Sequence, residues 1–170
     1  TPQDAPPPPP PVRDITLRNL SGEFPAEIRN ADHAGNVQLV IFLRTDDAPC
    51  RATLPDWAAL LDEFGPRGFT VLGAVVDDRP PAVLAAEAAE LPLPFPIGLA
   101  GDPVVAAFGG PAAIRAIPTS FLIDRDGQLV RTYPGFEPLD LIREDIEAAL
   151  DGLPLPDRSP PAPDEDADAD

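Results

Sequence analysis

A buried strand that leads through a short polar loop into a helix is the feature that most constrains how this chain can fold. Residues 39–43 are all apolar, as a central strand covered on both faces requires. Asp46, Asp47 and Pro49 end the strand, and apolar residues recur at helical spacing from Arg51 onward. They are Leu54, Trp57, Ala58, Leu60, Leu61 and Phe64. Proteins of the α/β class commonly place their chemistry where such a strand delivers residues to a helix N-terminus.

The rest of the chain alternates between predicted strands and helices. The segment 69–76 is a second buried strand, and because a helix separates it from the first, the two should pair in parallel through a right-handed crossover. Asp126-Gly127 is a strong hairpin turn between strands over 118–123 and 128–133. The other predicted elements are short strands over 15–20 and 24–28, a loop over 29–36, a helix over 80–91, an extended segment over 92–97, a short helix capped by Asp102 and ended by Gly109-Gly110, and a final helix over 139–150.

Two motifs resemble those of TlpA/ResA-type thioredoxin-like proteins. Residues 42–51 align in register with that family's Phe-Trp-Ala-Thr-Trp-Cys-Pro-Pro-Cys-Arg block, and Asp46 stands where the family has Trp. Asp47 stands where the family has its first, nucleophilic cysteine, whereas Cys50 keeps the resolving position. Residues 117–127 resemble the second signature, whose proline follows a cis peptide bond and faces the active site.

The resemblance covers roughly residues 12–150 and implies the fold. We expect a thioredoxin-like α/β domain with a mixed central sheet flanked by helices, an N-terminal hairpin extension, and a helical segment over 80–110 inserted as in TlpA-type proteins. The predicted division of the chain is a Pro-rich spacer over 1–11, the thioredoxin-like domain over 12–152, and a Pro-rich acidic tail over 153–170. Both ends are predicted to be disordered, because they offer too little apolar surface to fold alone.

The resemblance also implies a vestigial active site, formed by the degenerate CxxC motif Asp47-Ala48-Pro49-Cys50 together with Ile117 and Pro118. In a working site the first cysteine is a thiolate that attacks a disulfide, and the second cysteine resolves the mixed disulfide. A carboxylate at Asp47 should instead cap the helix by accepting a backbone N–H, which contributes about 1 kcal/mol to stability. Its charge should also raise the pKa of Cys50 and disfavour the thiolate.

Cys50 is the only cysteine, so the chain can form neither an intrachain disulfide nor a CxxC redox cycle. Two interpretations of this residue stay open. It is either a small buried hydrophobic residue, or a one-cysteine redox centre that forms mixed disulfides or reduces peroxide. A peroxidatic site would normally have Thr three residues before the cysteine, where this chain has Asp47, and that difference weakens the peroxidase interpretation.

Composition excludes several classes of partner. The net charge is −17 and every basic residue is Arg, so the chain lacks the basic surface that nucleic acid or an anionic membrane needs. No apolar run approaches the length of a membrane span. His33, the only histidine, and Cys50 supply too few ligands for a metal site, so we predict no metal and no other cofactor. Trp57 is expected to lie in the core.

The leading functional hypothesis is a redox-degenerate thioredoxin-like protein that acts outside the cytoplasm as a binding or assembly module. Its partners would be proteins, and it would dock on a larger membrane-associated complex through its Pro-rich ends. Since the chain begins at Thr1, we expect that a leader has been removed. The alternative hypothesis is an enzyme, either a single-cysteine thiol-disulfide oxidoreductase or a peroxide-reducing redoxin, that acts through Cys50.

Overall fold

A mixed sheet forms the centre of the computed structural model, which describes residues 14–20, 26–91 and 94–158. The strands are β1 (Thr16–Asn19), β2 (Glu27–Arg29), β3 (Val37–Leu43), β4 (Phe69–Val75), β5 (Ile97–Leu99), β6 (Thr119–Ile123) and β7 (Leu129–Pro134). Within the described ranges they lie in the order β2-β1-β5-β4-β3-β6-β7. The flanking helices are α1 (Ala48–Phe64), α2 (Pro81–Ala89), α3 (Asp102–Ala107) and α4 (Leu139–Leu150). This architecture confirms the predicted α/β fold.

Strand β3 lies inside the sheet, between β4 and β6, and all seven of its residues are buried. It pairs in parallel with β4, with Leu43 opposite Val75, which confirms the predicted crossover. On its other side it pairs antiparallel with β6, with Phe42 opposite Thr119. Strands β6 and β7 form the predicted hairpin, and Gly127 adopts the positive φ of 82° in its turn. The end of β3 and the start of β6 therefore lie side by side.

Alternate residues of β3 enter two hydrophobic clusters, one on each face of the sheet, because successive side chains of a strand point in opposite directions. The first cluster joins Leu39, Ile41 and Leu43 to residues of α1, α2 and α4. The second contains Val40 and Phe42 with residues of β1, α3 and β6. Trp57, at 3% exposure, lies in the first cluster, as expected.

The predicted N-terminal hairpin is formed by β1 and β2, which pair antiparallel with Leu17 opposite Ile28. Strand β1 also pairs antiparallel with β5, and this pairing joins the hairpin to the central sheet. The approach is close, since a Cβ atom at Gly98 would lie 2.6 Å from the Cβ of Leu17. Only glycine fits at that position without moving the hairpin.

The start of α3 differs from the sequence expectation. Asp102 makes no side-chain capping hydrogen bond, and the N-cap residue is Gly101. The reason is that the Gly101 carbonyl accepts the N–H groups of Val104 and Val105, at 3.0 and 3.2 Å, so Asp102 already lies inside the first turn. The prediction that Asp102 caps this helix was wrong.

Helix α1 begins at Ala48, directly after Asp47, as the predicted cap requires. The loop before β3 differs from the expectation. Within the predicted loop 29–36, Asn30–His33 form a short 3-10 helix. The side-chain oxygen of Asn30 accepts the N–H of Ile15 at 2.8 Å, which ties this turn to the start of β1.

Several predictions about the ends of the chain lie outside the described residues. They are the spacer over 1–11, the disorder of the tail beyond 158, and part of the predicted strand over 24–28. Residues 153–158 are described, and there Leu155 packs against the first cluster while Arg158 contacts α4. The division at 152 stays a prediction. None of the helices in the described ranges has both the length and the apolar character needed to span a membrane.

Candidate functional site

The loop after β3 turns directly into α1, and Asp47 makes that turn. Asp47 has an extended backbone and is the N-cap of α1. Its carboxylate accepts the backbone N–H of Cys50 at 2.9 Å, which confirms the predicted cap. Pro49 lies in the first turn, where its missing N–H costs little. Asp47 therefore fixes the helix start and places a negative charge at the positive end of the helix dipole.

Cys50 is buried, with 1% of its surface exposed. The pKa of its thiol is raised from the ordinary value of 9.0 to about 12, mainly by burial. A backbone hydrogen bond with Arg44 lowers this pKa, whereas the hydrogen bond and the charge of Asp47 contribute to raising it. The direction that the sequence predicts is therefore correct, but burial contributes more than Asp47 does. At neutral pH the group is a thiol, and a thiol is a poor nucleophile.

The second motif lies at the same end of the sheet. The peptide bond between Ile117 and Pro118 is cis, as the resemblance implies. Pro118 directly precedes β6, whose first residue Thr119 pairs with Phe42 near the end of β3. Ile117 packs against the same hydrophobic cluster that contains Cys50. The structure thus brings the segments 47–50 and 117–118 to one edge of the domain.

A cluster of charged residues that the sequence analysis did not identify holds the loop after β3 in place. Arg79 lies 2.9 Å from the Asp77 carboxylate, 2.8 Å from that of Glu87 and 3.7 Å from that of Asp46. Arg44 pairs with Asp46 at 3.1 Å and lies 3.6 Å from Asp77. We call these five residues the charged cluster.

The charged cluster connects three elements. Asp77 follows β4, Glu87 lies on α2, and Arg44 and Asp46 belong to the loop that enters α1. The hydroxyl of Thr45 in that loop donates to the Glu87 carboxylate at 2.6 Å. The Asp77 side chain is only 1% exposed and anchors the cluster, whereas the side chains of the other four members are 23–43% exposed.

Acid should weaken the charged cluster. Hydrogen bonds with Arg79 hold the pKa of Asp77 and Glu87 below their ordinary values of 3.8 and 4.5. Because the folded-state pKa values lie below the unfolded-state values, the stabilisation is complete above the unfolded-state pKa and is lost as the pH falls through the folded-state pKa. The difference in unfolding free energy between the wild type and Arg79→Gln should therefore shrink between about pH 5 and pH 3.

Urea unfolding at a series of pH values measures this difference. Arg115→Gln is the control, since Arg115 is exposed and its guanidinium donates to the Ala112 carbonyl rather than to a carboxylate. Its effect should not change with pH. A difference for Arg79→Gln that stays constant down to about pH 3 would contradict the assignment.

The structure separates His33 from Cys50. The His33 carbonyl accepts from Gln38 near the start of β3, whereas Cys50 follows the end of that strand. Seven strand residues at about 3.3 Å each separate those two ends. Within the described ranges, no group of three or more His, Cys, Asp or Glu residues is arranged to hold a metal ion.

The fold and the site define a thioredoxin-like α/β protein, in which a strand and a loop lead to a capped helix that carries a cysteine, beside a cis proline. The chain belongs to the Redoxin family, whose model matches residues 11–150. Over 141 residues it is 29% identical to thiol-disulfide oxidoreductase ResA of Geobacillus thermodenitrificans, an alignment that covers 82% of this chain and 74% of that protein.

Solved structures share this fold. A thiol:disulfide interchange protein of the thioredoxin family from Chlorobium tepidum matches with a TM-score of 0.70 and 27% identity, covering 86% of this chain and 99% of that one. The exposed lipoprotein thioredoxin of Streptococcus pneumoniae matches with a TM-score of 0.66 and 25% identity, covering 82% and 99%. This protein therefore has a thioredoxin-like redoxin fold with thiol-disulfide oxidoreductase homologues.

Proposed function

We propose that this protein is a redox-degenerate member of its family that acts as a binding or assembly module. The observation that carries the proposal is the state of the single thiol. Cys50 is 1% exposed, and its pKa is raised to about 12, mainly by burial. A thiol in this state is not available to exchange with a disulfide at neutral pH.

The residues around Cys50 support the same proposal. Disulfide exchange within one chain requires an attacking thiolate and a second thiol to resolve the mixed disulfide, and this chain has one cysteine. In the proposed degenerate motif, Asp47 occupies the position of the attacking cysteine. Its carboxylate keeps a negative charge at the helix N-terminus and accepts the Cys50 N–H, but it cannot form a mixed disulfide.

The proposed location is outside the cytoplasm, and the proposed partners are proteins. In this proposal the Pro-rich ends of the chain dock on a larger membrane-associated complex. The similarity to an exposed lipoprotein thioredoxin supports this location. The net charge of −17 supports protein partners over nucleic acid.

A second candidate function is a single-cysteine thiol-disulfide oxidoreductase that acts through Cys50 with an external thiol as resolver. The observation that favours it is the 29% identity to ResA, which is a thiol-disulfide oxidoreductase. The two candidates differ in whether Cys50 reacts in the folded protein.

Restoring the missing sulfur tests the proposed function. The Asp47→Cys variant should form a disulfide with Cys50 and should catalyse the reduction of insulin disulfides by dithiothreitol. The wild type should show no more activity than Cys50→Ser in the same assay. The physical reason is that a cysteine at the N-cap position has its pKa lowered by the helix N-terminus and can serve as the attacking thiolate.

The control for this experiment is Asp47→Ser, which keeps a capping oxygen without supplying a thiol. Wild-type activity that Cys50→Ser abolishes would overturn the proposed function in favour of the enzyme. If Asp47→Cys folds but gains no activity, Asp47 does not occupy the position of the attacking cysteine.

A further inference from the structure

A groove of about 290 Å³ lies beside Pro49, between α1 and the loop that joins β7 to α4. Its floor contains Trp57, Tyr133 and Ile142, all of which are buried. At its rim lies Phe136, with 57% of its surface exposed. An exposed aromatic ring at the edge of a groove with buried aromatic and aliphatic side chains in its floor is typical of an interaction surface.

The charges of the groove have one sign. Asp56 and Glu137 line it, and none of its lining residues is cationic. Among the described residues, neither carboxylate has an ion-pair partner. The nearby acids Glu63 and Asp140 differ, since Arg143 pairs with both, at 2.9 and 3.1 Å. The two groove carboxylates are thus available to a cation from outside.

We propose that this groove binds a segment of another protein in which an apolar side chain is flanked by arginine or lysine. The apolar side chain packs between Phe136 and the Trp57 floor, and the flanking cations pair with Asp56 and Glu137. Burial of the apolar group supplies most of the affinity, while charge selects the sequence. The inference rests on the proposed binding function and names the chemistry of its partner.

The chain's own ends do not have this chemistry. The segment 159–170 carries five carboxylates and no basic residue, and the segment 1–13 carries a single basic residue, Arg13, which Asp14 follows directly. The acidic segment would be repelled by Asp56 and Glu137. The occupant that fits by charge is therefore a separate protein with a basic segment.

Fluorescence of Trp57 provides a direct measurement, since Trp57 is the only tryptophan and lies in the groove. The probes are two acetylated and amidated peptides, Arg-Leu-Leu-Arg and Glu-Leu-Leu-Glu, titrated into the full chain at low and at high salt. The arginine peptide should bind about tenfold more tightly than the glutamate peptide at low salt, and the gap should narrow as salt screens the charges.

Matched variants locate the binding. The pair Asp56→Asn and Glu137→Gln should weaken binding of the arginine peptide about fivefold to tenfold. The control pair Asp62→Asn and Glu90→Gln removes the same charge from exposed positions outside the groove and should leave binding unchanged. Phe136→Ser should weaken both peptides about tenfold, because it removes part of the apolar contact.

Equal binding of the two peptides, or equal effects of the two variant pairs, would overturn the proposal. Tighter peptide binding after deletion of residues 159–170 would also overturn it, because the tail would then be the occupant. The Cys50→Ser variant should bind the arginine peptide as the wild type does. A reactive Cys50 would refute the proposed function by thiol chemistry alone, so that failure is distinguishable from failure of the groove to bind.

Discussion

Cys50 in the folded protein should react with a thiol reagent about a thousandfold more slowly than in the urea-unfolded chain at about pH 8. The rise of its pKa from 9.0 to about 12 lowers the thiolate fraction by roughly this factor. Burial to 1% exposure slows the reaction further, since the reagent must wait for an opening of the structure. An aromatic disulfide serves as the reagent, since its reaction with Cys50 releases a coloured aromatic thiolate. The absorbance of that thiolate, followed over time with and without urea, measures the rates for the unfolded and the folded chain.

The Asp47→Asn variant separates the causes of this protection. Asparagine keeps the helix cap but removes the charge beside the thiol. Because burial contributes more than Asp47 to the raised pKa, the labelling rate of the folded variant should increase less than tenfold. Rapid labelling of the folded wild type, at a rate near that of the unfolded chain, would contradict the buried-thiol assignment and favour the enzyme.

Replacing Asp145 with asparagine should lower the free energy of unfolding by about 3 kcal/mol. The Asp145 side chain is fully buried, and the Tyr133 hydroxyl donates to it at 2.6 Å. The guanidinium of Arg158 donates to its other oxygen at 3.0 Å, and that of Arg131 lies 3.4 Å away. Asparagine would remove the carboxylate that pairs with Arg131 and would leave Arg158 only the exposed carboxylate of Glu144, at 3.1 Å.

Urea unfolding of the full chain measures this loss. The control is Asp140→Asn on the same helix, where the side chain is 90% exposed and pairs with Arg143 at 3.1 Å, so that the loss should stay below about 0.5 kcal/mol.

A chain that ends at residue 152 lacks Arg158 and Leu155 and should also be destabilised relative to one that ends at 158. Equal stability of the two truncated chains would show that residues 153–158 do not support α4.

The parts of the fold that the sequence predicts are those with a local signal. An apolar run predicts β3, a polar residue at the right place predicts the Asp47 cap, and an Asp-Gly pair predicts the turn of the β6–β7 hairpin. The cis proline at Pro118 was implied by the family resemblance and not by physics. The wrong prediction at Asp102 also came from a local signal, because aspartate is a preferred capping residue. The N-cap is instead the preceding residue, Gly101, whose carbonyl accepts the first hydrogen bonds of the helix.

The charged cluster and the contacts of Asp145 could not be predicted because they join residues far apart in sequence. Thr45 and Glu87 are 42 positions apart, and nothing in the chain indicates which of the arginines meets which acid. A partial signal exists, since Arg44 and Asp46, like Asp77 and Arg79, stand two residues apart at the ends of neighbouring parallel strands. Only when the pairing of β3 with β4 is known does that spacing predict that these four side chains lie together.

The cations of the charged cluster and those that pair with Asp145 are all arginine guanidinium groups. Neither group of ion pairs therefore loses its cations as the pH rises. Arginine stays protonated throughout the alkaline range, whereas lysine would not. The neighbouring Tyr133 hydroxyl has its pKa raised, mainly by burial, and the Cys50 thiol ionises only at about 12. Both groups of ion pairs therefore keep their charges from neutrality well into mild alkali, whereas acid loosens the charged cluster by protonating Asp77 and Glu87.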